Sequence, residues 1–151
     1  MRAGDEGVRV AHGDQGGGYC LVVEGGRLAV AYNAYGDVTR LDAGPLAPGE
    51  HVIELRSSPR PGFRCDVAVR VDGRGVAAAT GLWLLVAFAP FSGISVGVDR
   101  GGPVDWALHE RHGAYPFSGA LHRVRLRPRR PRRLRPELLA QLALESELAY
   151  D

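Results

Sequence analysis

One polar segment in the last third of the chain carries side chains that could hold a metal ion. It reads Asp105-Trp-Ala-Leu-His-Glu-Arg-His112. Two histidines three residues apart can share a metal on a helix, with a carboxylate such as Asp105 as a third ligand. The spacing fixes no third ligand, however, and it is equally typical of a solvated polar loop. We favour the loop and predict no metal at the histidines.

The same segment is bordered by aromatic residues that could bind a sugar. Trp106 and Tyr115 flank the polar residues, and an exposed aromatic face of this kind can stack on a sugar ring. The predicted ligand-binding residues are therefore Trp106, Tyr115, His109, His112 and Asp105.

Two aspartates in this region are weak candidates for a calcium site. Asp99 ends an apolar run just before the turn Arg100-Gly-Gly-Pro103, and Asp105 follows that turn. Carboxylate oxygens are the ligands that calcium prefers. An aspartate in front of a glycine-rich turn more commonly caps the turn with its own side chain. We therefore predict no cofactor, with calcium at these two residues as the alternative.

The elements that would position these side chains are short strands. The 151 residues include 21 glycines and 10 prolines, which separate short apolar runs, and one domain is expected at this length. Such spacing predicts an all-β, antiparallel β-sandwich over residues 1–127. Trp83 is predicted to lie in its core, because leucines surround it. About ten strands are expected, at residues 8–12, 19–24, 27–33, 37–41, 51–56, 64–72, 75–80, 82–88, 94–98 and 120–127.

The character of the chain changes after residue 127. Residues 128–135 are rich in arginine and proline and predict an extended linker, and residues 136–151 predict a short C-terminal α-helix. The arginines could bind phosphates of a nucleic acid or an acidic partner, although a solvated linker is the favoured interpretation. The basic residues concerned are Arg127, Arg129, Arg130, Arg132, Arg133 and Arg135.

The cysteines and the N-terminus indicate the compartment. Cys20 and Cys65 have no second cysteine or histidine at metal-ligand spacing, and both are predicted to be small buried residues rather than a disulfide. No apolar stretch is long enough for a membrane span, and the N-terminus lacks the apolar core of a signal peptide. We expect a cytoplasmic protein, provided that the chain is not a fragment of a larger one.

A series of turn motifs runs in a fixed order from about residue 9 to residue 126. The motifs are Gly17-Gly-Tyr19, Glu24-Gly-Gly-Arg-Leu28, Ala31-Tyr-Asn33, Gly36, Leu46-Ala-Pro-Gly-Glu-His51, Val71-Asp-Gly73, Phe91-Ser92, Val96-Gly-Val-Asp99, Gly102-Pro-Val104 and Phe117-Ser-Gly119. Their order resembles the C-terminal β-sandwich of actinobacterial-type arylsulfatases, and the resemblance implies a jelly-roll-like sandwich of the concanavalin A type.

The catalytic signature of that family is absent from this sequence. Sulfatases modify a cysteine or serine within Cys/Ser-x-Pro-x-Arg, whereas Cys20 is followed by Leu-Val-Val-Glu and Cys65 by Asp-Val-Ala-Val. The resemblance therefore implies a non-catalytic module, a structural or interaction domain of a sulfatase or detached from one. Its expected partner is a sulfatase catalytic domain. The alternatives are a standalone lectin-like module that binds carbohydrate, and a nucleic-acid or acidic-partner binder that uses the arginine tail.

Overall fold

The computed structural model describes residues 1–85 and 92–127, and in this part of the chain it contains eight strands and one helix. The elements are β1 (Gly7–Asp14), β2 (Gly17–Glu24), β3 (Arg27–Ala34), β4 (Asp37–Pro45), β5 (Ile53–Arg60), β6 (Arg64–Val71), β7 (Arg74–Trp83), β8 (Ile94–Val96) and α1 (Trp106–His112).

Five strands form sheet A, in the order β4-β3-β2-β1-β8, and all of their pairings are antiparallel. The first four follow one another along the chain as hairpins. The turn between β2 and β3 is Gly25-Gly26, where both residues have positive φ, at 58° and 70°. Two-residue turns of this conformation match the right-handed twist of the flanking strands, which is why glycine occupies them.

The three remaining strands form sheet B, in the order β5-β6-β7, also antiparallel. Sheet B packs on one face of sheet A. Alternate residues of β6, namely Cys65, Val67 and Val69, are at most 1% exposed and pack in one apolar cluster with Val23 and Leu28 of sheet A. An antiparallel, all-β sandwich is thus confirmed, and its two sheets are not closed into a barrel.

The other face of sheet A is covered as well. Val104 and Leu108, from the segment that contains α1, pack on Cys20 and Val22 of β2 in a second apolar cluster. Because both faces of sheet A are buried, its central strands contain continuous apolar runs instead of a strict alternation. The two cysteines lie in different clusters and are both free and fully buried, as the sequence predicted.

Three predictions about the strands and the helix need correction. Two separate strands were expected at residues 75–80 and 82–88, but the structure has one continuous strand, β7, which ends at residue 83. Residues 86–88 of the second expected strand lie outside the described part. Residues 120–127 form no strand, because they pair with no described strand. The expected polar loop after Asp105 is instead the helix α1, because Asp105 caps it. The linker at 128–135 and the helix at 136–151 lie outside the described residues.

Trp83 is not in the core, contrary to prediction, and it is 47% exposed. Strand residues alternate between faces. Leu82 pairs with the buried Cys65 and packs on the core, so the next residue, Trp83, points to the outer face of sheet B, opposite Arg64. Because leucines lie on both sides of Trp83, the sequence shows no alternation of polar and apolar residues there. Within the described residues, no helix has the length and apolar character that crossing a membrane requires.

Candidate functional site

The helix α1 is held at its N-terminus by Asp105. This residue has an extended backbone conformation, and its Oδ1 accepts a hydrogen bond from the backbone N–H of Leu108 at 3.1 Å. Such a cap satisfies one of the backbone donors that the first turn of a helix leaves unpaired. Asp105 is 5% exposed, and Leu108 packs on sheet A. The carboxylate of Asp105 therefore fixes where α1 lies on the sheet.

The second oxygen of Asp105 faces Arg40 of β4. Its Oδ2 lies 3.2 Å from Nη2 of Arg40, although it accepts no aligned hydrogen bond from a described residue. The same Nη2 lies 3.5 Å from Oε2 of Glu24, at the end of β2. The guanidinium of Arg40 therefore lies between two carboxylates and connects the cap of α1 to sheet A.

Glu24 is the centre of this ionic cluster. Its carboxylate accepts hydrogen bonds from Nη2 of Arg111 at 3.0 and 3.2 Å, and it lies 2.8 Å from Nε2 of His112. Burial raises the pKa of Glu24, but the bonds from His112 and Arg111 outweigh burial and hold the pKa below its ordinary value. Both basic residues come from the last turn of α1, where the positive charge of Arg111 also complements the helix dipole.

Tyr115 extends the cluster to the start of β1. Its ring stacks on His112 with 4.0 Å between the centroids and an angle of 9° between the planes. Its hydroxyl donates to Oε2 of Glu6 at 2.6 Å. Burial, and then this bond, raise the pKa of Tyr115. Three of the five predicted ligand-binding residues, Asp105, His112 and Tyr115, are thus occupied in attaching α1 to the sandwich.

The other two predicted residues, Trp106 and His109, lie together on the outer side of α1. Trp106 is 54% exposed, and its Nε1 donates to Oε1 of Glu110 at 3.1 Å, which orients the indole ring. The His109 ring lies 5.6 Å from the indole, tilted by 32°. The exposed aromatic face that the sequence predicted is therefore built from Trp106 and His109, without Tyr115.

The possible metal ligands are not brought together. His109 lies beside Trp106, whereas His112 bonds to Glu24. Asp99 accepts a hydrogen bond from the backbone N–H of Val104 at 3.0 Å, which confirms the turn-capping role; burial raises its pKa, and this bond partly offsets that effect. Among the described residues, no group of three or more histidine, cysteine or acidic side chains could hold a metal ion.

Sequence analysis missed a second surface, which we name the outer face of sheet B. The cross-strand register places four rows of side chains on this face, because directly opposite residues point the same way. The rows are Arg60, Arg64 and Trp83; Ser58 and Asp66; Arg56, Ala68 and Ala78; and Glu54, Arg70 and Gly75. The alternation Arg64, Asp66, Ala68, Arg70 along β6 was the signal that could have revealed this face.

Arginine and tryptophan are in direct contact on this face. The Arg64 guanidinium lies 3.4 Å from the centroid of the Trp83 ring, and its Nη1 donates to the carbonyl of Gly81 at 3.2 Å. Arg60 forms an ion pair with Asp66 at 2.5 Å. A cation above an aromatic ring is held by the negative face of the ring. Arg64 is thereby fixed in place without a carboxylate partner among the described residues.

An open cleft of about 330 Å³ lies between β4 and β7, the edge strands at one side of the sandwich. Leu28, Leu46 and Val76 contribute to its apolar lining, and Asp72 and Arg74 are its charged residues. Asp72 is already bonded to His51 at 2.8 Å. The polar groups of the cleft therefore do not converge on one point, as a binding site for a small polar ligand would require.

The arginine tail begins where the described residues end. Arg127 is exposed and is the last described residue. The remaining arginines of the predicted basic segment, from Arg129 to Arg135, lie outside the described part. Comparisons of the chain with protein-family models, with curated proteins and with solved structures found no match.

Proposed function

We propose that the chain is a non-catalytic β-sandwich module of arylsulfatase descent that acts as a structural or interaction domain. Its partner is a sulfatase catalytic domain on a separate chain. The observation that carries the proposal is residues 120–127, which have the pattern of a closing strand but pair with no described strand.

The second half of this stretch, residues 123–127, alternates between charged and apolar side chains. Arg123, Arg125 and Arg127 fall on one side of an extended chain, and Val124 and Leu126 fall on the other. The two apolar side chains are 36% and 49% exposed. No backbone hydrogen bond links residues 119–127 to the rest of the described chain. A segment with this pattern, whose backbone groups have no backbone partner among the described residues, is suited to add to the sheet edge of a partner.

The charge of the segment narrows the choice of partner. Two copies paired with each other would bring the arginine sides of both segments together, and like charges directly opposite in a sheet are destabilising. An acidic strand or surface on a different protein avoids this repulsion. The proposal therefore favours a hetero-complex over a symmetric dimer.

The cysteines support a non-catalytic role. Both are 0% exposed, neither lies in a sulfatase signature, and burial raises the pKa of the Cys20 thiol. A buried neutral thiol is a poor nucleophile. The resemblance to the arylsulfatase C-terminal sandwich supplies the remaining support, through the motifs quoted above.

The test uses two separately expressed proteins, this chain and an actinobacterial-type arylsulfatase catalytic domain without its own C-terminal sandwich. We expect them to elute together in size-exclusion chromatography, and we expect the chain alone not to hydrolyse p-nitrophenyl sulfate. The double variant Val124→Asp, Leu126→Asp should abolish co-elution. The matched control Val38→Asp, Val52→Asp introduces the same charges at exposed valines elsewhere and should not.

Three results would refute the proposal: hydrolysis by the purified chain, separate elution of the two proteins, or equal losses in the two double variants. Equal losses would mean that added negative charge alone prevents association. Residues 120–127 would then have no special role in the association.

Sugar binding at Trp106 is a second candidate function, favoured by the 54% exposure of that ring and its fixed orientation against Glu110. A neutral glycan that stacks on the indole should bind the native chain and the Trp83→Ala variant equally, and the Trp106→Ala variant much more weakly. Glycan-array binding of the native chain and the two variants tests whether Trp106 is the sugar-binding residue. Equal binding by all three would remove this candidate.

A further inference from the structure

We propose that the outer face of sheet B binds an anionic polysaccharide, with Arg56, Arg64 and Arg70 contacting its acidic groups and Trp83 stacking on a sugar ring. The proposal goes beyond the interaction with a sulfatase domain and concerns a different surface. It depends on the register of sheet B, on the charges of this face and on the small residues between its arginines.

The first argument is that two arginines lie side by side on this face, an arrangement that lowers the stability of the sheet. Arg60 and Arg64 are directly opposite each other on neighbouring strands. Like charges in this position destabilise a sheet. Asp66 neutralises Arg60, whereas the described partners of Arg64 are the Trp83 ring and a backbone carbonyl. Local rules of this kind are most often broken where a surface has a function.

The second argument is uncompensated charge. The face carries four arginines and two carboxylates, and among these described residues only Arg60 and Asp66 form an ion pair. Glu54 is opposite Arg70 in register, but their charged groups form no ion pair. Within the described residues, Arg56, Arg64 and Arg70 therefore have no carboxylate partner and remain available to an anionic ligand.

The third argument is shape. Between the arginines the face carries Asp66 and three small residues, Ala68, Ala78 and Gly75, so that no bulky side chain stands between them. Arg64 and Arg70 are six residues apart on one strand, about 20 Å at the rise of a β-strand. A single sulfate ion could contact only one of them. The arrangement fits a polymer with repeated acidic groups that lies along the strands.

The aromatic residue distinguishes a polysaccharide from a nucleic acid. Single-stranded nucleic acids are bound by several aromatic side chains on which successive bases stack. Among the described residues, this face offers one such ring, Trp83, with Arg64 on it. The sugar stacks on the part of this half-exposed ring that Arg64 does not cover. The planar guanidinium of Arg64 donates to a neighbouring sulfate or carboxylate.

The experiment measures binding of the full chain to dextran sulfate, with neutral dextran and poly(dT) as comparison ligands, by biolayer interferometry. The triple variant Arg56→Gln, Arg64→Gln, Arg70→Gln should bind dextran sulfate at least about tenfold more weakly, with a shallower salt dependence. The charge-matched control Arg129→Gln, Arg130→Gln, Arg132→Gln removes the same charge from the tail. It should change affinity less than about threefold, because its arginines are not among the residues that define the proposed face.

The two exposed tryptophans provide a second matched pair. Trp83→Ala should weaken binding to dextran sulfate, whereas Trp106→Ala should not. Circular dichroism checks that each variant keeps its strands. Equal losses in the two triple variants, native affinity in Trp83→Ala, or binding of poly(dT) as tight as that of dextran sulfate would each overturn the proposal.

Discussion

Replacement of Asp105 tests how α1 is attached to the sandwich. The Asp105→Ala variant removes the N-cap of α1, which is worth about 1 kcal/mol in proteins. It also removes one of the two carboxylates beside Arg40, at 3.2 Å. Arg40 is one-third exposed, so solvent screens this pair, and about 1 kcal/mol is a reasonable value for it. Unfolding free energy should therefore fall by about 2 kcal/mol, and Tm by roughly 4–8 °C at this chain length.

Two further variants separate the contributions. Asn is as good an N-cap as Asp, so Asp105→Asn should lose only the ion pair, about half of the total. The Asp42→Ala variant removes the exposed ion pair with Arg27 and should cost clearly less than Asp105→Ala. Urea unfolding followed by tryptophan fluorescence gives the three free energies. The reasoning fails if Asp105→Ala matches the native chain, or if Asp105→Asn costs as much as Asp105→Ala.

Three other predictions follow from single residues. Hydrogen bonds from His51 to Asp72 and to the Ala47 carbonyl raise the His51 pKa. Their contribution to the free energy of unfolding is therefore complete below about pH 6.5, and it is lost as pH rises through the raised pKa. His51→Gln should therefore destabilise the fold more at pH 6 than at pH 9, in paired urea titrations; equal effects would contradict this. A Cβ at Gly18 would overlap the His12 carbonyl oxygen, so Gly18→Ala should lower the free energy of unfolding by about 3 kcal/mol or more. A native-like Tm for this variant would contradict the prediction, because it would show that the strands can move apart. Cys20 should react with Ellman's reagent only as fast as the chain opens; rapid labelling of the folded chain would contradict its burial.

The strands of sheet A could be predicted because their turns are explicit in the sequence. The Gly25-Gly26 pair and the apolar runs on either side predict a hairpin from local chemistry alone, and the structure contains that hairpin. The exposure of Trp83 could not be predicted in the same way. It depends on whether Leu82 or Trp83 pairs with Cys65. The sequence does not indicate this register, because the residues next to Trp83 are leucines.

The candidate site was predicted in part. Exposure of Trp106 was expected from its polar neighbours and is confirmed. The roles of His112 and Tyr115 depend on contacts with Glu24 and Glu6, which are more than eighty residues away along the chain, and Asp105 faces Arg40 on the distant strand β4. No local pattern contains such contacts, so residues that looked like ligands proved to be structural ones. Arg64 was missed for the same reason, because its partner Trp83 lies on a neighbouring strand.

Amide hydrogen exchange over residues 119–127 tests the central claim most directly, because the claim is that this segment pairs with a partner strand. In the free chain these amides should exchange without protection, since no backbone hydrogen bond holds them to the described residues. After addition of the sulfatase catalytic domain, alternate amides should become protected, as they do when one edge of a strand is paired. Protection already present in the free chain, or no change in the mixture, would contradict the account.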